Sequence, residues 1–228
     1  MKKVYWDYTI GRNPSSYPLP DEYVNIPKKY RTGYDTQYDH SKCPAWKKWG
    51  DNCWVITQPF DLGMQYDDKT RSLKTDMNQN AYEEYFHIGE RWLEGEYPEV
   101  QMQYVHSFWT RDKDVWVEQI PHPLLSRYGL ELVPATFPIS VWFRPLVMGV
   151  KIIDKNVNLF LPKGTPLCYV KFYSKRSDAN FVLEKKALPT DLKKANEEHS
   201  LLRFYTKFKA WDLIMNRVNK ESKCPLKF

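Results

Sequence analysis

The stretch that most constrains this chain covers positions 137–173, FPISVWFRPLVMGVKIIDKNVNLFLPKGTPLCYVKFY. It contains four β-branched and aromatic runs, at 139–143, 146–153, 157–161 and 167–173, parted by Pro145, Asp154-Lys155-Asn156 and Pro162-Lys163-Gly164. Branched and aromatic side chains suit a pleated, half-buried surface, whereas Pro, Gly, Asn and Asp interrupt it. The spacing predicts four short antiparallel strands in a meander, and a meander needs a second layer to cover its apolar face.

The rest of the chain supplies that layer. Strands are expected at 4–10, 53–57, 99–109, 115–120 and 130–133, with an edge strand at 181–185. The acidic turn Asp67-Asp68-Lys69 pairs 62–66 with 72–76 as a hairpin, and 81–93 reads as a short helix or as a strand with a bulge at Gly89. The predicted class is mainly β (α+β): an antiparallel β-sandwich or flattened barrel with one C-terminal α-helix. Three regions follow: an N-terminal arm over 1–50, a β core over 51–188, and a helix with a short tail over 189–222.

The arm is rich in Pro and Tyr. Pro14, Pro18, Pro20 and Pro27 alternate with Tyr17, Tyr23, Tyr30, Tyr34 and Tyr38, and prolines this dense exclude helix and central strand alike. An extended arm is expected, packed along its own core or a neighbouring subunit, with Tyr17 and Tyr23 as contact candidates. A single helical turn over 45–49 closes it, stopped by Gly50-Asp51-Asn52. At the other end Pro189-Thr190-Asp191 is a helix-start signal. Leu201, Phe204, Phe208, Trp211, Met215 and Val218 then recur every three or four residues as one apolar stripe. Such a stripe either caps the open face of the core or pairs with another helix, which makes Phe204, Phe208, Trp211 and Met215 candidate interaction residues.

Composition narrows the function classes. A 42% hydrophobic content in 228 residues excludes a disordered chain and provides for a sizeable core. The 34 basic and 28 acidic residues leave a net charge of +6, below the concentrated stripe of a dedicated nucleic-acid binder. Cys43, Cys53, Cys168 and Cys224 contain no C-x-x-C pair, so neither a zinc ribbon nor a small disulfide scaffold is indicated. MKKVYWDYTIGR has no apolar core of a signal peptide, and no run reaches the length of a membrane span. Free thiols in a reducing cytoplasm are expected, without membrane partners.

Chemistry-bearing motifs are sparse. There is no G-x-S-x-G elbow, P-loop or dinucleotide fingerprint, and Cys53 falls within an apolar run, where a thiol is inert. No cofactor is indicated. His87 lies three residues before Glu90, one too far for a His-x-Glu metal pair, so His87, Glu90 and His106 form a metal site only if the fold gathers them. Glu83, Glu84, Glu90, Glu94, Glu96 and Glu99 surround Tyr85 and Trp92. Paired acids beside aromatics suit sugar chemistry, but a solvated acidic face is the commoner outcome. Lysines and arginines over 171–176, at 185–186 and in the last helix form a basic counterpart.

Two resemblances follow from particular segments. GVKIIDKNVNLFLPKGTPLCYVKF, at 149–172, is similar to the closing strands of the dUTPase and dCTP deaminase superfamily. That likeness implies a β-clip-like or barrel-like ending. The chain lacks the superfamily's Arg-Ser-Gly phosphate segment, its Asp-x-x-Tyr-Arg-Gly sugar segment and its glycine-rich tail, so nucleotide hydrolysis is not implied. The segments Cys53-Trp54-Val55-Ile56, Ser140-Val141-Trp142-Phe143-Arg144-Pro145 and Lys163-Gly164-Thr165-Pro166-Leu167-Cys168-Tyr169-Val170 resemble an uncharacterised family of tailed-phage and bacterial β-rich proteins. This implies a phage origin and brings no catalytic residue. The leading expectation is a non-enzymatic phage-encoded binding or assembly protein, a virion component or host-interaction factor, with a protein partner or self-association. The alternatives are a metal-dependent enzyme built on His87, Glu90 and His106, and nucleic-acid contact through the basic C-terminal region.

Overall fold

The computed structural model describes residues 1–8, 27–30, 43–89, 91–140, 145–155, 159–175, 178–190 and 192. The architecture is mostly antiparallel β-sheet, with two sheets packed face to face and a third, smaller one. In the first sheet the order is β14 (Phe181–Lys185), β1 (Lys2–Tyr8), β7 (Glu99–Trp109), β11 (Pro145–Ile152) and β9 (Leu130–Leu132). A two-residue strand, β6 (Phe86–His87), also pairs with β7. The second sheet runs β10 (Ala135–Pro138), β8 (Val115–Pro121), β13 (Pro166–Ser174), β3 (Cys53–Thr57) and β2 (Lys28–Lys29). The third joins β12 (Leu159–Leu161), β4 (Leu62–Asp67) and β5 (Ser72–Thr75). The pairing of β1 with β14 is parallel, unlike the others described. The sheets do not close into a barrel.

Alternation along each strand decides which side chains enter the core. On β13, Val170 and Phe172 point inward and are fully buried. Phe172 lies 5.3 Å from Phe108 of the opposite sheet and 5.3 Å from Trp54 of its own, and so joins the two layers at their centre. Val4, Val100, Met102, Met148 and Val150 line one sheet's inner face, while Ile56, Val115, Val117 and Val170 line the other's. These side chains pack against one another between the two sheets.

Several expectations hold and two are corrected. The strands near 53–57, 99–109, 115–120, 130–133 and 181–185 form, as do the 62–75 hairpin and the short helix α1 (Pro44–Gly50). The ambiguous 81–93 segment divides into a helix, α2 (Gln79–Tyr85), then β6 and a 3-10 turn (Trp92–Glu94). The meander does not form. β11, β12 and β13 belong to three different sheets, because their short connections carry the chain from one layer to the next rather than back along a neighbour. The flattened-barrel alternative likewise gives way to open, packed sheets. The expected C-terminal helix, with its stripe, lies outside the described residues beyond Thr190 and Leu192, and so do Tyr17 and Tyr23 of the arm.

Candidate interaction surface

Both sheets carry aromatic clusters on their outer faces. On the second sheet Tyr30, Trp49 and Tyr169 meet edge to face, with centroids 5.0 to 5.6 Å apart, over Cys53 and Val55. Trp49 comes from α1, whose first turn Pro44 suits because proline fixes φ and needs no partner for a missing N–H. His122 packs on Tyr169 at 4.7 Å, and its Nδ1 accepts from the Leu124 amide, so this histidine is a structural cap. The cluster is sealed: Tyr30 and Tyr169 are buried and Gly50 sits against the Tyr30 ring.

The first sheet's outer face carries Tyr5 and Trp109, paired across β1 and β7 with centroids 4.5 Å apart. After β14 the chain folds back over this pair. The Lys186 amide donates to the Trp6 carbonyl, the Leu188 amide donates to the Asp7 carboxylate, and Leu188 and Leu192 cover Trp109. The described chain after β14 therefore ends on the outer face of the first sheet.

Lysines stand over tryptophan and tyrosine rings at several places around the molecule. Lys29 lies 5.9 Å from the Trp54 ring, Lys171 5.5 Å from Trp49, Lys185 5.6 Å from Trp6, and Lys186 4.9 Å from Tyr5. The closest is Lys175, 3.7 Å from the Trp116 centroid. Long lysine stems cover apolar rings while their ammonium groups reach water, and the ring faces attract the cation. Beside Lys175, Trp116 and Tyr173 stack at 6.5 Å and are half-buried. Burial, then the carboxylates of Glu118 and Asp114, raise the Tyr173 phenol above its ordinary value.

The structure does not bring the two described metal candidates together. His87 pairs with Gln101 on β7, so His106 lies five residues further along that strand, roughly 16 Å at about 3.3 Å per residue. His87 is exposed with its ring edge-on to Trp92, whereas His106 is buried between Trp6 and Phe108. Glu90 lies outside the described residues. Among the described residues no group of three or more His, Cys, Asp or Glu is placed to hold a metal ion. Three glutamates of the acidic band are engaged in separate pairs. Glu83 accepts from Gln79, Glu94 pairs with Arg91 and Arg71, and Glu99 pairs with Lys151. Tyr85 meanwhile turns into the core against Phe60 and Phe86. Burial holds the Cys168 thiol far above its ordinary value and pushes Cys53 up to about 12, despite the opposing charge of Lys171, so neither is a nucleophile at neutral pH. No helix among the described residues is long and apolar enough to cross a membrane.

No protein-family model matches the chain, and no curated protein does. Among solved structures it is weakly similar to the native dUTPase of EIAV, with a TM-score of 0.38 and 7% identity over 82% of this chain and 98% of that one. That protein belongs to the superfamily whose closing strands 149–172 resemble; a likeness at this level carries no argument about activity.

Proposed function

We propose that this is a non-enzymatic, phage-encoded binding or assembly protein, acting in the bacterial cytoplasm or the virion, whose C-terminal stripe associates with protein. The reading is supported by the sequence of that stripe, set beside a sandwich whose two sheets bury their inner faces against each other. The Trp109 patch on the outer face is likewise covered by Leu188 and Leu192. Leu201, Phe204, Phe208, Trp211, Met215 and Val218 are the large apolar side chains that carry the proposal. Their 3-4-3-4-3 spacing is that of a seam between paired helices, which favours a second copy of the chain as partner. Tyr17 and Tyr23 of the arm would extend the same contact.

The test is the mass of the full chain in solution, measured by sedimentation across a range of concentrations, for the parent and for a Phe208→Glu/Trp211→Glu variant. The reading expects an oligomer that the double substitution reduces to monomer, with the near-ultraviolet spectrum of the sandwich retained. A parent that is monomeric throughout, paired with a variant that fails to fold, would place the stripe in the core and end the proposal.

A further inference from the structure

The outer face of β13 has a pattern that the assembly reading leaves unused. Because successive side chains on a strand point to opposite faces, Tyr169, Lys171 and Tyr173 of β13, with Lys175 just beyond, share the outer surface of the second sheet, alternating ring and ammonium about 7 Å apart. Tyr169 is sealed under Tyr30 and Trp49. The other end is open: Tyr173 is half-buried, Trp116 sits opposite it on β8 and is also half-buried, and Pro138 of β10 lies opposite Trp116. The Asp114 carboxylate fixes this platform by accepting from Trp116 Nε1 at 3.3 Å and from Ser174 Oγ at 3.0 Å. Lys2 reaches this end of the sheet from the inner side, with Nζ 3.4 Å from Ser174 Oγ and 3.3 Å from the Lys113 carbonyl. Glu118 is the other acid on this face, opposite Lys171.

We propose that this strip binds single-stranded nucleic acid, with bases stacking on the Trp116–Tyr173 platform and phosphates meeting Lys171 and Lys175. Half-exposed rings interleaved with lysines match a strand whose bases are free to stack and whose backbone is anionic. A duplex keeps its bases stacked internally and gains only the charge contacts. Lys175 now covers the Trp116 ring; base stacking outweighs an exposed cation–π contact, so a base displaces the ammonium toward a phosphate. Among its described residues the strip presents no Asn, Gln or Arg side chain to base edges, which favours binding tolerant of sequence.

Fluorescence anisotropy with the full chain and a labelled oligothymidylate of about 20 nucleotides tests this, at salt from about 50 to 200 mM. The expected result is binding that weakens steeply with salt and exceeds binding of the same length of duplex. Trp116→Ala should weaken it about tenfold with the salt slope unchanged, while Lys175→Ala should reduce the slope by about 0.7. Tyr173→Ala serves as a second stacking variant, and circular dichroism checks that each variant is folded. Absence of binding at the lowest salt, or indifference to both ring substitutions, would overturn the proposal. Equal competition by polyglutamate would do the same, assigning the face to acidic protein instead.

Discussion

The Gln119 side chain has the most exposed consequences for stability at the level of single residues. It is fully buried on β8, and neither its Oε1 nor its Nε2 has a hydrogen-bond partner among the described residues. A buried amide without partners costs about 1–3 kcal/mol relative to one that is satisfied. Gln119→Met, which keeps the volume and removes the polar atoms, is expected to raise stability by about 1 kcal/mol, read as a higher urea midpoint with an unchanged slope. The thiols give a second prediction. Burial raises Cys53 to about 12 and Cys168 upward as well, whereas in the unfolded chain both titrate near 9. Folding thus holds protons that the unfolded chain releases, so their contribution to stability is complete below about pH 8 and declines as pH rises past 9 toward 12. Iodoacetamide at about pH 8 should label the exposed Cys43 and leave Cys53 and Cys168 unmodified until the protein is unfolded. The inert character of Cys53 was legible in its apolar run. The isolation of Gln119 was not, because it arises from cross-strand neighbours, Val170 on one side and Ala135 on the other, that no local pattern names.

Among the elements, the parallel contact between β1 and β14 depends on one turn residue. Asn52 adopts φ 59°, and its side chain donates to the Ala179 carbonyl and accepts from the Phe181 amide, fastening the start of β14 to the turn before β3. Asparagine tolerates the left-handed region better than other residues with a side chain. Asn52→Ala loses both bonds and strains the turn, for a destabilisation of about 2–3 kcal/mol; Asn52→Gly relieves the strain and should cost about 1 kcal/mol less. Thermal or urea unfolding of the two variants separates the contributions. Strand existence was readable from runs such as 99–109 and 115–120, whose alternation survives in the structure. Strand partners were not. The turns Asp154-Lys155-Asn156 and Pro162-Lys163-Gly164 mark where strands stop, but a short connection can return along a neighbour or pass to another sheet, and here the flanking strands separate into three sheets. Likewise Lys171 and Lys175 are neighbours in sequence of Tyr173, yet Trp116 joins them through the pairing of β8 with β13.

At the scale of the whole molecule the account rests on closure of the sandwich by its own two sheets. Phe172 bridges them against Phe108 and Trp54, so Phe172→Ala should cost about 3–5 kcal/mol and lower the unfolding midpoint of the entire core as one transition. The proposed function places the cover of the stripe at 201–218 on another molecule. Hydrogen exchange of the full chain, followed by mass spectrometry at increasing protein concentration, addresses that claim directly. The account predicts that amides over 201–218 exchange faster than those of β7 and β13 in dilute protein and gain protection as concentration rises. Protection over 201–218 that equals that of β7 at the lowest concentration, and does not change with it, would contradict the account and make the stripe part of the chain's own core.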